Sequence, residues 1–165
     1  MSGPPFKRLS DKEYDYFDKQ YQPFMNHIEK KGFSAAHSGS FRRVYERKNV
    51  VIKVPRNQDG VEDNMSEALG WHKYRSNPTQ YGIYLAPCRL LPNKCLMMVK
   101  VDIYMRGDDK PDWSKDIDSG QVGLYRGRVV AYDFGLELTE RRDWEKEWQV
   151  TESFYNTSHF GKRGL

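Results

Sequence analysis

KDIDSGQVGLYRGRVVAYDFGL, residues 115–136, decides how this chain is read. Within it, VGLY (122–125) and RVVAY (128–132) are short apolar runs with β-branched residues. Arg126-Gly127 between them is the two-residue connection that a tight hairpin needs. A hairpin brings its two ends together, so Asp116 and Gln121 at one end approach Asp133, Phe134 and Gly135 at the other. Two carboxylates and an amide oxygen are hard oxygen donors of the kind that suits Mg²⁺. The stretch outlines a metal-phosphate site; turn capping by Asp116 and Asp118 is the plain structural alternative.

Working outward, the pattern upstream from residue 33 is that of strands. Phe41, Val44 and the run VVIKV (50–54) are β-prone, and Lys48-Asn49 supplies a turn. In SGSFRRV (38–44), Gly39 lies between two serines. Lys53 interrupts an apolar strand, and a lysine is rarely buried without a partner. The segment VEDNMSEALGWHKYRS (61–76) reads as a helix with Val61, Met65, Ala68, Leu69 and His72 on its apolar face and Glu67 at the edge of that face. LAPCRLL (85–91) and CLMMVKVDIYM (95–105) follow as a hairpin. Its second strand is nearly continuous in apolar residues and is therefore expected at the centre of a sheet.

The first segment, residues 10–31, is helical by its spacing of Tyr14, Phe17, Tyr21, Phe24, Met25 and Ile28. Ser10 and Glu13 fit a capping box, Lys30-Lys31-Gly32 fits a helix end, and Pro23 is expected to break or kink the middle. This reads as a helical brace on the side of a sheet. At the other end, the sequence of residues 139–148 reads as one short helix capped by Thr139, followed by a tail.

Composition limits the function classes. A chain of 165 residues is one domain's worth and can bury a core. The net charge of +4 has both signs interspersed, so nucleic acid is an unlikely partner. Cys88 and Cys95 belong to no metal-binding pattern and read as reduced core thiols. No apolar run reaches the length of a membrane span, and MSGPPFKRLS lacks the apolar centre of a signal peptide. A cytoplasmic protein without membrane partners is expected.

Asp133-Phe134-Gly135 resembles the DFG of protein kinases, and DIDSGQ resembles their catalytic loop D-x-x-x-x-N, with Gln121 in place of the asparagine. SGSFRRV resembles the glycine-rich loop, although only Gly39 of three glycines is kept, and VVIKV resembles V-A-I-K. The resemblance covers residues 33–137. It is nearest to the small kinase-like proteins encoded by bacteriophages, where DGVEDNMSE likewise follows the lysine strand.

The resemblance implies an α+β fold over residues 1–165 as a single domain. A helical extension (1–32) precedes an N-lobe (33–105) with a five-stranded antiparallel sheet and one packed helix. A strongly reduced C-lobe (106–165) holds the catalytic-loop and DFG hairpin plus one short helix. ATP and Mg²⁺ are the implied cofactors. Gly39 and Ser40 would approach the phosphates, Val44, Val51 and Met98 would border the adenine, and Val99 to Val101 would be the hinge. Lys53, paired with Glu67, would hold the α/β-phosphates. Gln121 and Asp133 would hold Mg²⁺, and Asp116 would act on the acceptor hydroxyl.

Two function classes stay open. The retained lysine, glutamate and two aspartates point to transfer of the γ-phosphate to a protein hydroxyl. The missing helical lobe, the sparse glycines and Gln121 point to a pseudokinase that binds and modulates a host or viral protein, in the host cytoplasm if the chain is phage-encoded. A basic nucleic-acid adaptor using Arg42, Arg43, Arg141 and Arg142 is the weakest reading.

Overall fold

The structure is a computed structural model that describes residues 4–36, 38–75, 77–79, 84–102 and 122–133, with side chains from residue 11 onward. In chain order the elements are α1 (Pro4–Lys30), β1 (Ser34–Ala35), β2 (Arg42–Arg47), β3 (Val50–Pro55), α2 (Gln58–Tyr74), β4 (Cys88–Leu90), β5 (Leu96–Val99), β6 (Val122–Tyr125) and β7 (Arg128–Ala131). The first five strands form one antiparallel sheet in the order β1-β2-β3-β5-β4. The expected α+β architecture is present: five antiparallel strands, one helix packed on the sheet and a helix before it. β5 is interior, as its apolar run requires, and all four of its residues are buried.

Strand alternation sends successive side chains to opposite faces, and each face is covered differently. On one face, Tyr45, Ile52, Val54 and Met97 pack with Phe17, Tyr21, Met25 and Ile28 of α1. Arg43 of β2 forms a fork with Asp18 of α1, and the Tyr21 hydroxyl donates to the Asn93 carbonyl at 2.6 Å. α1 is thus the brace that the spacing predicts. On the other face, Cys88, Leu90, Leu96 and Met98 pack with Ala68 and Trp71 of α2 and with Val122, Val130 and Ala131 of the β6-β7 hairpin.

Two expectations about α1 are corrected. α1 begins at Pro4, so Ser10 lies inside the helix rather than at its start, and the Glu13 carboxylate accepts from the Gln58 N–H. Proline is tolerated in a first helical turn, where its missing N–H has no intrahelical partner to lose. α1 also runs through Pro23. Pro23 is on the exposed face, where water can satisfy the carbonyl it frees, while Tyr21, Met25 and Ile28 anchor the helix on both sides. The end at Gly32 is as expected. Phe33 N–H donates to Ile28 C=O and Gly32 N–H to Glu29 C=O, the double bond of a Schellman motif, and Gly32 has the positive φ (95°) this closure needs.

α2 starts earlier than expected, at Gln58, because the Asn57 side chain accepts from Gly60 N–H and caps it. Its buried face is also rotated from the expected one. Val61, Asn64, Glu67, Ala68 and Trp71 are buried, while Leu69 and His72 are only half-buried. Polar partners waiting on the sheet for Asn64 and Glu67 decide that rotation.

The β6-β7 hairpin forms where the sequence reading puts it, with β7 ending at Ala131, one residue short of the expected Tyr132, and with both turn residues, Arg126 and Gly127, at positive φ. It is tied to the rest by two isolated bridges. Asp102 and Leu124 exchange backbone hydrogen bonds of 2.9 and 2.8 Å, and Ala131 bridges to the 84–86 segment. Among the described residues, no helix is long and apolar enough to cross a membrane.

Candidate functional site

The site forms where the inner face of β2 and β3 meets α2 and the end of the hairpin. Val44 pairs with Lys53 and Arg42 with Pro55 across β2-β3, so Arg42, Val44 and Lys53 share the face that looks toward α2. Lys53 Nζ donates to Glu67 Oε1 at 2.9 Å and to the Tyr132 carbonyl at 2.6 Å. Lys53 and Glu67 are buried, Glu67 completely. The pairing expected from VVIKV and the following helix is therefore formed, and it faces the hairpin one residue before Asp133.

Arg42 is the residue that the site reading missed. Its guanidinium lies 2.9 Å from Glu67 Oε2, 3.1 Å from Asn64 Oδ1 and 2.8 Å from Asp133 Oδ1. Glu67 therefore has a cation on each oxygen. Asn64 is fixed in turn, since its Nδ2 donates to the carbonyls of Lys53 and Lys94. A buried charge is stable only when paired and hydrogen-bonded, and here every member has partners. Burial alone would raise the Glu67 carboxyl, but Arg42 and then Lys53 outweigh it and hold the group down at about 2. Arg42 responds in kind: burial disfavours its charge, yet Glu67 and Asp133 more than restore it. Asp63, on the same helix, is pushed up to about 6, first by burial and then by Glu67 and Asp133, against the pull of Arg42.

Arg42 and Arg43, two of the arginines named for a basic surface, are each engaged by carboxylates. The first is buried in an internal ion cluster and the second is engaged by Asp18. Arg141 and Arg142 lie outside the described residues.

The remaining expected site residues are placed as follows. Gly39 and Ser40 are exposed in the loop between β1 and β2. Its described residues are tied to the strands beside it: Gly39 N–H donates to Arg42 C=O, Gly39 C=O accepts from Arg56, and Ser38 Oγ accepts from Val44 N–H. Val44 and Val51 are half-buried, whereas Met98, Val99 and Val101 are buried. The backbone after β5 is already committed in part. Val99 N–H donates to Pro87 C=O and Lys100 N–H to Asn49 C=O, so neither serves an adenine in this arrangement. Asp133 is at the hairpin end with its side chain 41% exposed. Asp116, Asp118, Gln121, Phe134, Gly135 and the expected helix at 139–148 lie outside the described residues.

Gly123 explains how closely the hairpin approaches the chain after β5. A Cβ there would stand 2.7 Å from both the Asp102 carbonyl oxygen and Val101 Cγ2. A separate cavity of about 230 Å³ lies behind the hairpin, walled by Trp71, Tyr84, Pro87 and Tyr125, and does not include the ion cluster.

Comparison with known proteins finds no matching family model, no matching curated protein and no matching solved structure.

Proposed function

We propose that this chain is a minimal kinase-like protein that binds ATP with Mg²⁺ and transfers the γ-phosphate to a protein hydroxyl. The supporting observation is the buried Lys53–Glu67 pair, turned toward a hairpin that ends in Asp133. In this reading Lys53, held by Glu67, orients the α/β-phosphates, and Val44, Val51 and Met98 contribute the apolar surroundings of the base. Asp116 accepts the proton of the acceptor hydroxyl as its oxygen bonds to the γ-phosphorus and ADP leaves.

The donors at hand suit Mg²⁺. Asp133 presents a partly exposed carboxylate whose Oδ2 is engaged by no described residue, and Mg²⁺ is commonly held by one or two carboxylates plus phosphate oxygens and water. Asp133 would hold the ion, with Gln121 as the second protein ligand. Bound there, Mg²⁺ would neutralise charge on the β- and γ-phosphates.

A second reading has its own support. Arg42 occupies Asp133 Oδ1, and the Gly39 N–H is turned to Arg42 C=O. Both features favour a pseudokinase platform for a host or viral protein. Phosphoryl transfer from labelled ATP, with nucleotide binding measured in parallel, separates the two. Asp116→Asn should lower turnover about 10²–10⁴-fold with affinity kept. Equal turnover in Asp116→Asn and the natural chain would remove the enzymatic reading.

A further inference from the structure

Arg42 and Asp133 are unequal partners. The Arg42 side chain is 8% exposed and is pinned from behind by Glu67 and Asn64. Asp133 is 41% exposed and its carboxylate has no other described partner. If the contact opens, Asp133 is the side that moves, and Arg42 stays where it is. The charge balance changes with it. Lys53 and Arg42 are offset by Glu67 and Asp133, with the half-buried Asp63 adding acid nearby. Removing Asp133 shifts the charge facing an incoming anion by one positive unit. It also leaves an N–H of a fixed guanidinium without its acceptor, close to Lys53. Guanidinium donors bound at one end and open at the other are suited to phosphate oxygens.

We propose that Arg42 is a phosphate ligand gated by Asp133: when Asp133 turns away to a divalent cation, Arg42 Nη2 donates to a phosphate oxygen of the bound nucleotide. This rests on the nucleotide reading given above. It makes metal and phosphate binding cooperative, because the cation withdraws the carboxylate that otherwise occupies the phosphate donor. It also predicts an unusual sign: removing the Asp133 carboxylate should improve anion binding when no metal is present.

The test is calorimetric titration of the full chain with sodium pyrophosphate in EDTA. Asp133→Asn and Asp133→Ser should each bind pyrophosphate about tenfold or more tighter than the natural chain, the lower end of what one charge-assisted hydrogen bond supplies. Adding Arg42→Gln should abolish the gain. The Arg42 guanidinium NMR signal of Asp133→Ser should shift during titration, which locates the anion even if the double variant does not fold. Equal affinities of the natural chain and both Asp133 variants would overturn the proposal, as would a gain accompanied by an unmoved Arg42 signal. Titration of the natural chain with Mg-ADP runs alongside. No heat and no shift there would overturn the nucleotide reading, while the pyrophosphate arms would still decide whether Arg42 is a gated anion donor.

Discussion

Lys53 Nζ stands 2.9 Å from Glu67 Oε1, with the lysine side chain 6% exposed and the glutamate fully buried. Glu67 also accepts from Arg42, so two buried cations share this one buried carboxylate, with Asp133 as the second partner of Arg42. Glu67→Gln keeps the shape and removes the charge. It should destabilise the fold by about 3–5 kcal/mol, because uncompensated buried charge is costly. Glu62→Gln, on the partly exposed side of the same helix, should cost less than about 1 kcal/mol. Urea unfolding of the two variants checks the contrast, and comparable losses would mean that the cluster does not hold the fold.

The pH dependence has two limbs. Glu67 is depressed from 4.5 to about 2, so its contribution is present above its unfolded value and is lost as pH falls from 4.5 toward 2. Asp63 is raised from 3.8 to about 6, so the folded state binds that proton more tightly than the unfolded state. Stability should therefore fall as pH rises from 3.8 to 6, with the loss complete above it. Asp63→Asn should remove the second limb and stabilise the protein at neutral pH. Unfolding curves across the acidic to neutral range check this; an unchanged upper limb in Asp63→Asn would assign it elsewhere.

Glycine substitutions should separate close approach from open loop. A Cβ at Gly60 would run into the Phe41 carbonyl, and one at Gly123 into Asp102 and Val101, whereas one at Gly39 meets nothing within 4 Å. Gly60→Ala and Gly123→Ala should each cost about 1–3 kcal/mol. Gly39→Ala should stay within about 0.5 kcal/mol in stability. Thermal unfolding orders the three, and a destabilised Gly39→Ala would mean that the β1-β2 loop is constrained beyond its hydrogen bonds.

The hairpin was legible in the sequence from local signals, and the Lys53–Glu67 pair through the resemblance of VVIKV and the helix after it to the kinase lysine strand and its partner helix. Arg126-Gly127 specifies a tight turn, whereas Glu67 as the partner of Lys53 follows from the family pattern that the two segments resemble. Arg42 was not legible as a cluster member, because Arg42 and Arg43 look equivalent in a charge count. Period-two alternation holds the signal: Arg42 shares the face of Val44, inward toward α2, while Arg43 points to α1. The Asp133 partner could not be foreseen, since 91 residues separate it from Arg42 and only the docking of the hairpin joins them. The rotated face of α2 follows from the same cause, as Asn64 and Glu67 look polar in sequence and are buried by partners distant along the chain. Pro23 misled for the opposite reason: its local penalty is real, but tertiary anchoring of α1 overrides it.

The brace role of α1 gives a further expected outcome. Ile28 is fully buried against the sheet, and Tyr21 reaches the turn between β4 and β5 through the Asn93 carbonyl. Ile28→Ala should cost about 2–5 kcal/mol and Tyr21→Phe about 1 kcal/mol. Denaturant midpoints of both variants test it; a neutral Ile28→Ala would detach α1 from the core.

Thermal unfolding with increasing Mg-ATP, for the natural chain and for Lys53→Met, tests the central claim most directly. Lys53→Met should still fold, because Arg42 continues to compensate Glu67. A ligand that binds only the folded state raises the midpoint with concentration, by about 5–10 °C at a hundredfold excess over Kd for a chain of this size. The account predicts that rise in the natural chain and little or none in Lys53→Met. A natural chain whose midpoint does not move at millimolar Mg-ATP, or a Lys53→Met variant that responds equally, would contradict it.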